Sequence, residues 1–143
     1  MPLFRSSPRS LALGLTVLRL AVATVFIKHG AQKVFVFGFA GVTGAFTHMG
    51  VPIPGVIAPF IALLEFFGGI ALGLGLLTRL IALGFVCDMA GAILLVLLPK
   101  GFSGFELEFL LLCSSLALAL TGAGRFSVDD MLADRQARSG KPA

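Results

Sequence analysis

Apolar side chains fill four stretches of this chain, at about residues 10–30, 56–77, 80–98 and 105–122. Each is close to the 20 or so residues that a helix needs to cross a hydrocarbon core about 30 Å thick. The pattern predicts an all-α, polytopic membrane protein: a four-transmembrane-helix bundle, antiparallel, forming one domain over residues 1–143. The second and third runs are joined only by Thr78-Arg79, and the third and fourth by Pro99–Gly104, so both pairs are expected to be helical hairpins. The connection from Val34 to Gly55 is longer. It carries Gly38, Gly41, Gly44, Gly50, Pro52, Pro54 and Gly55, and predicts a short interfacial segment between helices 1 and 2, helical around Gly41–Met49. The first run follows Arg5 and Arg9 and contains Ala21-Val22-Ala23, which is similar to a cleavable secretory signal. The apolar pattern runs past that point to Ile27, which favours an uncleaved span.

Composition sharpens this. The chain is 57% hydrophobic and 13% charged, against roughly 25% charge in soluble domains, and its mean hydropathy is +1.03. Disorder, a disulfide scaffold and nucleic-acid binding are excluded as classes, and the bilayer is the expected surrounding. The net charge of +4 then speaks of orientation. With four spans, Arg5, Arg9, Arg79, Arg125, Arg135, Arg138 and Lys141 share one side, against Lys28, Lys33 and Lys100 on the other, which predicts cytoplasmic termini. Residues 125–143 read as a cytoplasmic tail, amphipathic or disordered. Ser127 ahead of Asp129 and Asp130 is the signal for a capped helix there.

Motifs for soluble chemistry are missing. Cys87 and Cys113 lie in separate runs with no C-x-x-C spacing, and read as small packing residues. His29 and His48 do not form a bis-histidine haem pattern, and no Walker, Rossmann, zinc or Ser-His-Asp arrangement appears. No metal site and no intrinsic cofactor are expected.

The informative residues are charges inside apolar runs, which are costly there and tend to face a bundle interior. Counted from the run ends, Arg19, Glu65 and Asp88 all fall near mid-membrane. One cation with two acids suggests an ion network, with the second acid protonated or satisfied by a hydroxyl or water. At 100° per residue, each charge shares a face with small residues: Arg19 with Ala12, Ala23 and Gly30; Glu65 with Gly69 and Gly73; Asp88 with Gly84 and Gly91; Glu108 with Ser115 and Ala119. Arg19 and Glu65 are expected within hydrogen-bond reach, about 3 Å. Lys33 also lies on the Arg19 face and is a candidate partner for Glu108. Glu106 points away from Glu108, Lys28 points away from Arg19, and His29 stands at the groove edge. A purely structural role, fixing helix register, is the alternative for these charges. All the aromatic residues are phenylalanine, and Phe35, Phe37, Phe39, Phe66 and Phe67 either line a quinone or lipid groove or simply face lipid.

In order along the chain, Leu18-Arg19-Leu20, Lys28-His29-Gly30-Ala31-Gln32-Lys33 with Phe35, Gly50-Val51-Pro52-Ile53-Pro54, Glu65-Phe66-Phe67-Gly68-Gly69, Gly75-Leu76-Leu77-Thr78-Arg79, Glu108-Phe109 and Gly122–Asp129 resemble the DoxX family. The resemblance covers about Leu11 to Leu132. It implies a small four-helix protein of the bacterial inner membrane, with polar family positions at Arg19, His29, Gln32, Lys33, Glu65 and Glu108. Asp88 is outside that pattern and rests on spacing alone. Members resembling this chain include a subunit of a thiosulfate:quinone oxidoreductase and proteins linked to thiol-redox assemblies. Three functions follow as expectations. The first is a membrane subunit of a redox assembly, quinone-linked, with electrons from a partner oxidoreductase and no independent catalysis. The second is a non-catalytic scaffold, and the third a small proton-coupled carrier, expected to act as a homo-oligomer.

Overall fold

The computed structural model describes residues 7–140, so Arg5 and Lys141 of the orientation count lie outside the described residues. Among those residues every regular element is helical. In chain order they are α1 (Pro8–Ala31), α2 (Gly38–His48), α3 (Pro54–Leu63), α4 (Gly69–Leu74), α5 (Thr78–Ala92), α6 (Glu106–Thr121) and α7 (Val128–Ser139). Three π-helical turns extend this set: Gln32–Phe37 joins α1 to α2, Leu64–Gly68 joins α3 to α4, and Ile93–Leu97 follows α5.

Among the described residues, three continuous helical stretches are long and apolar enough to cross a membrane: Pro8–His48, Pro54–Leu74 and Thr78–Lys100. The first is longer than the sequence pattern suggested. Glycines and prolines mark a connection from residue 34 with a short helix around Gly41–Met49, yet the chain stays helical without a break from α1 to His48. It turns aside only at Gly38, whose φ is +67°. The α2 segment then packs on α3. Helix α6 has 16 residues, about 24 Å at a 1.5 Å rise, which is short of a 30 Å core.

The turn between α4 and α5 also differs from expectation. Thr78 and Arg79 begin α5 rather than forming the connection. The chain reverses at Gly75–Leu77, with Gly75 at φ +70° and Leu77 at φ +50°. Gly75 suits that left-handed cap because it lacks a Cβ, and an added Cβ would fall 2.7 Å from Arg19 Nη1.

The core sits between α1, α4, α5 and α6. Phe26 stacks on Phe85 with ring centroids 3.6 Å apart, and Val22, Ala23, Leu72, Ala82 and Leu118 close around them. The outside is apolar as well. Leu13, Val17, Phe60, Leu94, Leu110 and Leu120 are all exposed, and an exterior so rich in apolar side chains suits lipid rather than water.

Small residues set how closely the first two long helices approach. A Cβ on Gly30 would lie 2.6 Å from Phe66 Cα and 2.7 Å from the Glu65 carbonyl carbon. A Cβ on Gly69 would lie 2.9 Å from the Ile27 nitrogen. These are backbone-to-backbone approaches, possible only without side chains. They also give the register: Gly30 faces Glu65 and Phe66, Ile27 faces Gly69, Ala23 faces Gly73, and Arg19 faces Gly75.

Candidate functional site

Among the described residues, buried charge occurs at two levels. The first is built on Lys33 and Glu65, each held in a π-helical turn. Such turns carry one residue more than an α-turn, re-aim side chains, and occur often at functional sites. The Gly30 contact brings α1 against the Glu65 backbone. One turn later Lys33 extends over the same surface, and its ammonium donates to Glu65 Oε2. The Glu65 side chain is 4% exposed and that of Lys33 21%, so the carboxylate is enclosed while the cation keeps a path outward.

Asp88 joins from α5. Its half-buried side chain stands near the Lys33–Glu65 pair. One of its carboxyl oxygens, Oδ2, is buried with no hydrogen-bond partner among the described residues. Register explains the meeting, since Gly84 packs on Leu64 and Gly68 packs on Ile81 and Phe85, which places Asp88 one turn further along at the Glu65 level. A ledge of aromatic rings flanks the cluster. Phe35 meets Phe66 edge-to-face at 5.2 Å and Phe66 meets Phe67 at 5.1 Å. The outer rings, Phe35 and Phe67, are 70% and 60% exposed.

Arg19 belongs to the second level. It is 2% exposed, but it does not reach Glu65, contrary to the expectation from helical phase. Its Nη1 donates to the Ala123 carbonyl at 2.7 Å and its Nη2 to the Phe126 carbonyl at 2.9 Å. The physical reason is depth. Arg19 and Lys33 share a face, but 14 residues of helix separate them by about 21 Å. Glu65 lies opposite Gly30, so the Lys33 end of α1 takes it.

Arg19 organises the segment after α6. Thr16 donates to the Arg125 carbonyl at 3.3 Å. Ser127 caps α7 by accepting from the Asp130 amide at 3.1 Å, as the sequence signal indicated. Asp129 then accepts from the Leu77 amide at 2.9 Å and the Thr78 amide at 3.0 Å, so a carboxylate from α7 caps the start of α5. No local pattern near Thr78 announces that cap. Its only trace is the DD pair after Ser127, which a local reading assigns to α7 itself. A cleft of about 650 Å³ opens here between Thr78, Arg79, Gly122, Arg125 and Asp129. Its polar rim already serves this docking.

The remaining sequence-derived residues separate clearly. His29 is half-buried, while Gln32 and Lys28 are exposed. Glu108 is half-buried and Glu106 exposed, in the order that helical phase gave. The expected Lys33–Glu108 pairing is replaced by Lys33–Glu65. Cys87 and Cys113 are exposed and unbridged.

Comparison with known proteins decides the family. The DoxX family model matches residues 14–98, which run from within α1 past the end of α5 and include both members of the Lys33–Glu65 pair. The chain belongs to the DoxX family. A Bacillus subtilis relative named "Putative oxidoreductase CatD" is 34% identical over 123 residues, covering 85% of this chain and 88% of the relative. The Escherichia coli "Inner membrane protein YqjF" is 35% identical over 127 residues, covering 83% of this chain and 92% of its own. A Mycobacterium tuberculosis protein, named only as an uncharacterized membrane protein, is 33% identical over 137 residues, covering 86% of this chain and 83% of its own. No solved structure matches the chain. This DoxX protein is therefore a membrane protein, and the Lys33–Glu65–Asp88 cluster is its candidate functional site.

Proposed function

We propose that this DoxX protein is a membrane subunit of a redox assembly that receives a quinone headgroup beside Lys33, Glu65 and Asp88, without independent catalysis. The carrying observation is the juxtaposition of a buried ion pair with an exposed aromatic ledge, Phe35–Phe66–Phe67. A quinone has an apolar ring that stacks on aromatic edges and carbonyl oxygens that accept from an ammonium. Lys33, being 21% exposed, is the donor within reach from the lipid side. Electrons come from a partner oxidoreductase in this reading, and the name of the Bacillus subtilis relative supports a redox setting in general.

In this reading α6 completes a four-span antiparallel bundle, with α2 at the membrane interface. The termini lie in the cytoplasm of a bacterial cell, where Arg9, Arg79, Arg125, Arg135 and Arg138 gather. The Arg19 level favours a second, narrower reading for that part of the molecule. It is a scaffold that docks α7 and gives a partner a fixed surface.

Photolabelling with an azido-quinone tests the site. Adducts are expected on peptides carrying Phe35 or Phe66-Phe67, reduced by excess unlabelled quinone. Labelling confined to other helices, or labelling that excess quinone leaves unchanged, contradicts the assignment.

A further inference from the structure

We propose that the cleft between the α4–α5 turn and the segment after α6 binds the phosphate headgroup of an anionic membrane phospholipid, held by Arg79, Arg125 and the Thr78 hydroxyl. The cleft encloses about 650 Å³, a size typical of small-ligand sites, which run to about 300–1,000 Å³. It opens where the stretch Pro54–Leu74 ends and Thr78–Lys100 begins. That places it at the level of lipid headgroups rather than acyl chains.

Docking of α7 uses only part of the polar wall. Asp129 spends both carboxylate oxygens on the Leu77 and Thr78 amides. The Ser127 hydroxyl donates to the Gly124 carbonyl and accepts from the Asp130 amide. Three side chains are left over. Arg79 and Arg125 line the cleft and are exposed, and neither guanidinium has a hydrogen-bond or ion-pair partner among the described residues. Thr78 also lines it and is 1% exposed, and its hydroxyl oxygen is buried with no hydrogen-bond partner among the described residues. A buried hydroxyl left unpaired is costly and asks for an explanation. A phosphate oxygen supplies the missing acceptor, and planar guanidiniums bind phosphate oxygens in a paired fork.

Packing and charge favour the same ligand. Arg79 lies over Gly122, where an added Cβ would stand 3.2 Å from its Nε, so the missing side chain leaves room for the guanidinium at the wall. The first turn of α5 lines the cleft and brings the positive end of its dipole. Arg19 adds a third cation behind the wall, through its bond to the Ala123 carbonyl. Against these stand Asp129, already engaged, and Asp130, exposed at the start of α7. Leu77 and Leu80 are exposed on the same lining. They give acyl chains an apolar surface that a free phosphate has no use for.

This site is separate from the Lys33 level, and its test needs no quinone. Native mass spectrometry of the purified full-length protein, titrated with phosphatidylglycerol or with phosphatidylcholine, reads the lipid that stays bound. Phosphatidylglycerol is expected to bind about tenfold more tightly, and excess inorganic phosphate should not displace it. Arg79→Gln and Arg125→Gln should each weaken that binding about fivefold, the contribution of one cation near an anionic surface. Thr78→Val should weaken it as well, while Lys100→Gln, at the far end of the same helical stretch, should leave it unchanged. Circular dichroism shows which variants are folded, and the two exposed arginines suffice if Thr78→Val is not. Equal retention of both lipids, displacement by inorganic phosphate, or unchanged phosphatidylglycerol binding in a folded Arg79→Gln/Arg125→Gln double variant overturns the proposal.

Discussion

The backbone of Gly30 lies directly against that of Glu65, one helical turn before Lys33 closes on the same residue's carboxylate. Packing and charge are thus coupled at one crossing. The absent side chain at position 30 brings the helices close enough for the ion pair to form within the bundle.

Gly30→Ala should therefore act on both. The new Cβ would stand 2.6 Å from Phe66 Cα, which cannot rotate away as a side-chain tip could. Overpacking of this kind costs about 1–3 kcal/mol. A melting temperature lowered by several degrees in detergent is expected. A melting curve identical to that of the unaltered protein contradicts the close crossing.

Removing one member of the ion pair should be worse than removing both. Lys33→Met leaves enclosed carboxyls without their cation, a loss of about 3 kcal/mol, at the lower end for buried pairs because Lys33 is partly exposed. The double variant Lys33→Met/Glu65→Gln should recover part of that loss. Chemical denaturation of the set reads the coupling, and strictly additive losses contradict the pairing.

At the other level, Arg19→Lys replaces two guanidinium bonds with one ammonium. Losing one charge-assisted hydrogen bond costs about 1.5 kcal/mol, or roughly tenfold in local opening of the 122–127 segment. Trypsin should cut after Arg125 about tenfold faster. An unchanged rate contradicts the role assigned to Arg19.

Asp129→Ala should loosen the start of α5. The Leu77 and Thr78 amides lose their acceptors where Leu77 is already left-handed, for about 1–2 kcal/mol. Faster hydrogen exchange at those two amides, with exchange around Phe85 little changed, is the expected pattern. Uniform exchange across α5 contradicts a local cap.

Much of this architecture is legible in the chain. Apolar runs mark the long helices, Ser127 marks the start of α7, and the small-residue faces mark the packing surfaces. Lys33, Glu65 and Asp88 all stand out as charges on those faces. Their pairing was not legible, because helical phase gives direction but not depth. Counting from the ends of hydropathic runs put Arg19 level with Glu65, while the register set by Gly30, Gly69 and Gly75 puts Lys33 there instead. The π-helical turns and the Asp129 cap on α5 arise from tertiary packing, and no local residue pattern encodes them.

The claim that function resides at Lys33, Glu65 and Asp88 is tested most directly by equilibrium binding of a short-chain quinone to the purified protein. Saturable binding is expected, weakened at least tenfold in Lys33→Met and Glu65→Gln and unchanged in Arg19→Lys. Binding that survives both site variants, or that is lost with Arg19→Lys alone, would contradict the account.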